Sequence, residues 1–303
     1  MKKTNLKTNN YRGRFAPSPT GELHFGSLLA AMASYTDAKK NNGLWLLRID
    51  DIDQARVIDQ SDLHILNTLE QCGFEWDESV TYQSQCLKHY QLALEQLEHS
   101  GLSYACSCSR KQIQAIIEKN HLPPSIYPGT CRNQSIIADN SATRIQVADT
   151  PIGFNDLIQG DCSSILSEDS GDFIILRRDK TFSYQLSVVV DDFRSQITHV
   201  VRGADLLNST ARQIYLQQQL AYPSPQYAHI PLAVSSDNLK LSKLSQAKKI
   251  RCDLKTLTLA ADFLGQRPIN HHDLESKADF WQYLLNVWDI NRVPKMEKQM
   301  VLV

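Results

Sequence analysis

The chain has 303 residues, 42% of them hydrophobic and 21% charged, enough for one large or two modest packed domains and too apolar for a disordered protein. A net charge of −1 excludes a broadly basic nucleic-acid binder, so contact with RNA would rest on local clusters such as Arg177-Arg178-Asp179-Lys180 or Lys248-Lys249-Ile250-Arg251. No stretch approaches the ~20 apolar residues of a membrane span, and the polar residues 1–10 read as a flexible start rather than a leader; a cytoplasmic protein with no membrane partner is expected.

In chain order, the extended segment from Tyr11 to Ala16 runs into Pro17-Ser18-Pro19-Thr20-Gly21, a loop because each proline fixes φ and lacks a donor. Leu28, Leu29, Met32 and Tyr35 recur at helical spacing, Asn41-Asn42-Gly43 stops that helix, and residues 44–49 form an apolar run of strand length. Strand, helix and strand make a right-handed crossover between parallel strands. Helices are expected at residues 62–72 and 87–97, each closed by a glycine, Gly73 and Gly101. Residues 106–131 read as irregular and open an inserted subdomain that runs to residue 165. Strands follow at 173–176 and 197–202, then a helix at 209–220 capped by Asn208 or Ser209, a strand at 230–234 and a lysine-rich turn at 237–243. Residues 244–303 read as helices. The alternation predicts a Rossmann-like, doubly wound parallel α/β sheet, with halves at 11–105 and 166–243, an insertion at 106–165 and a short helical C-terminal segment.

In open parallel sheets, ligands bind beyond the carboxyl ends of the strands, where the order reverses. His24-Phe25-Gly26-Ser27 enters a helix at such a place. A helix start offers free N–H donors and a positive dipole end to phosphate, Gly26 allows close approach to the backbone, and His24 can donate to phosphates as charge builds up. Toward the far end, Lys240-Leu241-Ser242-Lys243 supplies cations suited to a polyphosphate.

The two loops, in this order, carry a resemblance. Arg14-Phe15-Ala16-Pro17-Ser18-Pro19-Thr20-Gly21-Glu22-Leu23-His24-Phe25-Gly26-Ser27 resembles the HIGH signature of the glutamyl branch of class I aminoacyl-tRNA synthetases, and Lys240 to Lys243 resembles the KMSK part of their second signature. Arg48-Ile49-Asp50-Asp51-Ile52-Asp53, Tyr184-Gln185-Leu186-Ser187-Val188-Val189-Val190-Asp191-Asp192 and Val201-Arg202-Gly203-Ala204-Asp205-Leu206 match further blocks in order, so the likeness spans residues 11–250. It implies ATP binding by His24, Gly26, Ser27, Lys240, Ser242 and Lys243, with His24 and Lys243 catalytic and Mg²⁺ accompanying ATP. It also implies a glutamate site made of Arg14, Phe15, Ala16, Pro17, Ser18, Asp50, Tyr184 and Arg202. That set suits an amino acid with two carboxylates, since arginine forks grip carboxylates and an acid answers the ammonium group. Three positions depart from the pattern: Asp50 stands where glutamate is usual, Ser27 where histidine is, and Leu244 where a polar residue often closes the second signature.

Seven cysteines without a secretion signal favour metal binding or free thiols over a disulfide framework. Cys106-Ser107-Cys108 and Tyr127-Pro128-Gly129-Thr130-Cys131 resemble the zinc-binding pattern of glutamyl-Q tRNA(Asp) synthetases, which implies structural Zn²⁺ on Cys106, Cys108, Tyr127 and Cys131. Thiolates in tetrahedral array are what structural zinc prefers; His121, inside the spacer, is the alternative fourth ligand. Cys72, Cys86, Cys162 and Cys252 read as core thiols, and His271-His272-Asp273 as a polar turn. Residues 244–303 are short for an anticodon-inspecting domain. A globule of this length has a radius of gyration of about 19 Å, so a monomer is expected to work at one end of a tRNA. The resemblance implies which end: glutamate, activated by ATP without tRNA, is transferred to queuosine at the wobble position of tRNA(Asp). A truncated glutamyl-tRNA synthetase charging the terminal adenosine, and a small-molecule nucleotidylyltransferase, are the alternatives.

Overall fold

The computed structural model describes residues 11–124, 126–134, 136, 139–234 and 250–300. The first crossover is β1 (Arg12–Phe15), α1 (Phe25–Lys40) and β2 (Leu44–Ile49), with β1 and β2 parallel from Arg12↔Leu44 to Phe15↔Leu47. Next come α2 (Ser61–Gln71), the short β3 (Thr81–Tyr82), which extends the ladder beside β2, and α3 (Leu87–His99).

After β8 (Phe173–Leu176) and α6 (Tyr184–Arg194), the second half of the sheet is built from β9 (His199–Gly203), α7 (Leu207–Gln219) and β10 (Gln226–Ile230), with β9 and β10 parallel. The halves meet where the Thr198 N–H donates to the Arg12 carbonyl at 2.9 Å. This contact sets β9 beside β1, so the connections leaving β1 and β9 diverge to opposite sides of one line. Helices cover both faces. One core holds α1 with Trp45, Phe74 and Trp281; the other holds Tyr90, Val189, Val190, Ile214 and Leu216 from α3, α6 and α7. The doubly wound parallel sheet expected from the alternation is therefore present.

Between α3 and β8 lie β4 (Ser103–Cys106), α4 (Arg110–Lys119), β5 (Ala142–Ile145), β6 (Ile152–Asp156), β7 (Gly160–Ser164) and α5 (Leu166–Asp169). Strands β4, β5 and β8 form an antiparallel sheet, while the β6–β7 hairpin returns to the main sheet, with Asp156 opposite Tyr227 of β10. Residues 106–131 are more regular than expected, because α4 is a ten-residue helix. Its start was readable: Ser109 and Gln112 form a capping box, each side chain bonded to the other's backbone N–H.

After β11 (Leu232–Val234), the chain continues through α8 (Leu254–Phe263) and α9 (Lys277–Val287) to β12 (Lys298–Met300). The C-terminal segment is thus not wholly helical. β12 pairs in parallel with β11, its register running from Leu232↔Lys298 to Val234↔Met300. A three-residue strand with no apolar alternation leaves no periodic signal. Two of the expected core thiols are also corrected: Cys72, after α2, and Cys252, before α8, form a disulfide across 180 residues of sequence. Pairing at that separation depends on the tertiary fold, which spacing does not reveal. The helix expected from residue 209 begins two residues earlier, at Leu207.

Candidate active site

A cavity of about 730 Å³ opens at the carboxyl edge of β1, β9 and β10. Phe15, Ala16, Pro17 and Ser18 form one wall and His24, Gly26 and Ser27 another; Gly203 and Asp205 follow β9, and Pro231 follows β10. This is the switch point of the sheet, where a doubly wound fold leaves room for a ligand.

His24 is the N-cap of α1. Its backbone is extended, and its Nδ1 accepts the Ser27 N–H at 3.2 Å. An accepting Nδ1 requires the neutral ring to carry its proton on Nε2, so that nitrogen is a donor. Gly26 has a role not foreseen from sequence. A Cβ there would lie 3.1 Å from Cε1 and 3.2 Å from Nδ1 of His24, so the group that approaches this backbone closely is the histidine ring itself. Gly203 is constrained in the same way, since a Cβ would lie 2.7 Å from an Asp205 carboxylate oxygen.

Arg14, Asp50, Tyr184 and Arg202 do not stand on the cavity wall. Tyr184 opens α6 and is partly exposed. The other three are buried, and Arg14 and Asp50 belong to one ion cluster. Arg14 pairs with Asp192 at 3.2 Å; Arg48 reaches Asp50 at 2.6 Å and Asp192 at 2.7 Å, with Asp191 3.8 Å away. Asp191 also accepts from Tyr90 and Gln83. Arg194 also approaches Asp191, at 3.9 Å, so three carboxylates face three guanidinium groups. Burial pushes the Asp50 carboxyl up to about 6, against the pull of Arg48 and with the help of Asp191 and Asp192. Asp192 goes the other way: burial opposes ionisation, but Arg14 and Arg48 together hold its carboxyl below the usual range. Among the described residues Arg48 is the one cation paired with Asp50, and it offsets only part of the effect of burial there. Its backbone N–H also donates to the Pro17 carbonyl at 2.9 Å, tying the end of β2 to the loop after β1.

Arg202 lies near the end of β9 with two of its nitrogens held by the protein. Nε donates to His229 at 3.0 Å and Nη2 to Thr210 at 2.9 Å, while Nη1 is buried with no protein partner among the described residues. Arg14 and Arg202, from neighbouring strands, both act electrostatically on Tyr227 and His229. They therefore share one buried neighbourhood behind the cavity. Lys240, Ser242, Lys243 and Leu244 lie outside the described residues.

A second cluster sits on the antiparallel sheet. The Sγ atoms of Cys106, Cys108 and Cys131 lie within 4.8 Å of one another. Tyr127 brings its hydroxyl 3.3 Å from Cys106 Sγ and 3.7 Å from Cys108 Sγ. Sulfurs on a tetrahedral zinc, each ~2.3 Å from the ion, stand about 3.8 Å apart, so four donor atoms occupy a space of that size and the group can hold a metal ion. His121 is not part of the group; it lies two residues past the end of α4, in the left-handed region at φ 52°. Arg144 donates to Cys106 Sγ at 3.3 Å and lies 3.6 Å over the Tyr127 ring. At Cys131 burial is outweighed by hydrogen bonds from Tyr127 and Cys108, which bring its thiol down to about 7; burial and donation to Cys131 push Cys108 up to about 11.

Sequence reasoning quoted the blocks containing Arg48, Asp191 and Asp192 without giving them a role, and did not include Asp156, Thr210 or His229. The adjacent acids after Val188-Val189-Val190 were a usable signal, because charges on an apolar helix stripe need buried partners. Of the basic clusters, Arg177 is paired with Asp53 and Asp179, and Arg178 reaches the Ser107 carbonyl.

Comparison with known proteins agrees with this geometry. The family described as "tRNA synthetases class I (E and Q), catalytic domain" matches residues 10–256. A glutamyl-Q tRNA(Asp) synthetase of Pseudomonas aeruginosa is 43% identical over 290 residues, covering 95% of this chain and 97% of the relative. One from Neisseria meningitidis serogroup C is 44% identical over 289 residues, covering 94% and 98%. Among solved structures, a glutamate-tRNA synthetase from Elizabethkingia anophelis shares the fold, with TM-score 0.78, 24% identity and coverage of 94% of this chain and 67% of that one. The chain belongs to the class I (E and Q) tRNA synthetases and, within them, to the glutamyl-Q tRNA(Asp) synthetase family.

Proposed function

We propose that the protein activates L-glutamate with ATP, without tRNA, and transfers it to the queuosine of tRNA(Asp). The observation that carries the amino-acid half is the buried Asp50 carboxylate, paired with Arg48 alone among the described residues, together with the buried Arg202, whose Nη1 has no protein partner among them. An ammonium group at Asp50 adds a second positive charge to that of Arg48, and carboxylates at Arg202 and Arg14 take the spare donors. Arginine forks favour carboxylates over neutral amides, so glutamine is discriminated against. Phe15, Ala16, Pro17, Ser18 and Tyr184 complete this pocket.

ATP lies in the 730 Å³ cavity, its phosphates over the start of α1 against His24, Gly26 and Ser27, with Lys240, Ser242 and Lys243 closing from the second loop. Mg²⁺ bound with ATP offsets phosphate charge. The glutamate α-carboxylate attacks the α-phosphorus and pyrophosphate leaves. His24, donating from Nε2, and Lys243 neutralise charge as it develops, so the enzyme acts by positioning and electrostatics. A hydroxyl of the queuosine cyclopentenediol then attacks the acyl carbon and AMP leaves.

Cys106, Cys108, Tyr127 and Cys131 hold structural Zn²⁺, which when bound cross-links β4 to the segment after α4. Residues 106–165 form the inserted subdomain, between halves of the catalytic domain at 11–105 and 166–243, and 244–303 form the C-terminal segment. The protein acts as a monomer in the cytoplasm. Labelled glutamate incubated with ATP and tRNA(Asp) from cells with and without queuosine tests the transfer. Label should enter only the queuosine-bearing tRNA and resist removal of the terminal adenosine; equal labelling of both would refute it.

A further inference from the structure

Arg202 ends a chain of buried hydrogen bonds. Its Nε lies 3.0 Å from His229 Nε2, and His229 Nδ1 lies 2.6 Å from an Asp156 carboxylate oxygen. Asp156 and His229 are both fully buried. A guanidinium never gives up its proton in a protein, so Nε is always a donor and His229 Nε2 must accept. The ring proton is then on Nδ1, where Asp156 receives it. The other Asp156 oxygen accepts backbone N–H groups from Ile158 at 3.0 Å, Gln159 at 2.9 Å and His229 at 3.1 Å. The carboxylate thus cannot turn. Burial and the Arg202 charge lower the His229 pKa, against the hydrogen bond that the ring donates to Asp156, in the same sense as the neutral ring that accepting from Arg202 requires. On the far side, Thr210 accepts from Arg202 Nη2 at 2.9 Å, and its own proton is shared between His229 Nε2 at 3.2 Å and the Leu206 carbonyl at 3.3 Å. Two of the three guanidinium nitrogens are fixed in this way, and the third, Nη1, is left over.

We infer that Asp156, His229 and Thr210 are positioning residues, which hold the Arg202 guanidinium with Nη1 turned to the carboxylate of the amino-acid substrate and so set its affinity from behind the site. The inference rests on the reading of Arg202 as a glutamate ligand. Asp156 reaches it from the β6–β7 hairpin and His229 from β10, so the hairpin has a direct line to the amino-acid pocket.

Asp156→Asn is the sharpest test. Its oxygen keeps the three backbone bonds, and its new NH₂ group faces His229 Nδ1. The ring must then accept there and carry its proton on Nε2, where it meets the Arg202 N–H donor to donor. In glutamate-dependent exchange of pyrophosphate into ATP, the KM for glutamate should rise about tenfold or more, as for loss of a hydrogen bond to a charged group, with the KM for ATP unchanged. His229→Asn, which keeps a donor for Asp156 but offers Arg202 no acceptor, should behave alike. His229→Gln, which restores an acceptor near Nε2, should recover most of the affinity. A folded Asp156→Asn variant with the unaltered glutamate KM, or one whose KM for ATP rises in step, would overturn the inference. Should that variant fail to fold, equal glutamate KM values for His229→Asn and His229→Gln would do so. Arg202→Ala separates the two layers. If it spares the glutamate KM, the reading of Arg202 fails; if it raises the KM while Asp156→Asn does not, the positioning inference alone fails.

Discussion

His24 uses its Nδ1 to accept the backbone N–H of Ser27 at 3.2 Å, and this one bond decides that the ring proton sits on Nε2. A positively charged ring could not make it. His24→Ala should therefore lower kcat for glutamate-dependent pyrophosphate exchange by about 10²–10³-fold, the usual loss for one donor aimed at transition-state charge, with little change in the KM for glutamate. Gly26→Ala should lower kcat in the same direction, because its Cβ would press on the ring at 3.1 Å. Steady-state kinetics of both variants check this, and a loss confined to the glutamate KM would count against it.

The role proposed for Asp50 predicts that glutamate use is acid-sensitive. Its folded pKa is raised to about 6, so below that value it is protonated and has no charge for the ammonium group. The glutamate side chain titrates near ~4.3 and stays ionised through this window. Expected is a fall in kcat/KM for glutamate approaching tenfold per pH unit below the inflection, since that ratio reports the free enzyme. The corresponding stability effect has the opposite sense. Between the unfolded value of 3.8 and about 6 the folded state binds the extra proton, so this residue's contribution to stability diminishes as pH rises through the window. A flat kcat/KM from pH 7 to 5 would contradict the assignment.

The cysteine cluster predicts metal content. Purified protein should carry one zinc per chain, and Cys108→Ser should abolish it while Cys162→Ser, outside the cluster, leaves it intact. Chelation should lower Tm, because metal affinity is also folding free energy. Elemental analysis and thermal melts decide this; full zinc content in Cys108→Ser would refute the ligand set.

Peptide mapping without reduction should recover Cys72 joined to Cys252. Cys252→Ser should lower stability by about 2–4 kcal/mol, measured by denaturant unfolding under non-reducing conditions. Free alkylation of both thiols in the native, unreduced protein would contradict the bridge.

Most of the nucleotide-binding sheet was legible because its strands are apolar runs separated by helical periods, and in the antiparallel sheet β8 falls where the run Phe173 to Leu176 puts it. The cavity was legible too: Pro17 and Pro19 force a loop, and His24 opens a helix whose apolar stripe is plain. What escaped was produced by tertiary contact. Cys72 and Cys252 meet only after α2 and α8 pack, and β12 exists because β11 offers it an edge. His229 sits in an apolar strand, where a lone histidine looks like any core residue until Asp156 and Arg202 are seen on its two nitrogens. The substitution of Asp50 for the longer family acid becomes intelligible in the same way, since Arg48 from the same block reaches out to it.

Exchange of labelled pyrophosphate into ATP, with glutamate and no tRNA, tests the central claim that a buried two-arginine pocket beside a nucleotide cavity activates a dicarboxylic amino acid. The account predicts exchange with glutamate, loss of most of that exchange in Arg202→Ala, and little or none with glutamine. Exchange supported equally by glutamine, or none until tRNA is added, would contradict it.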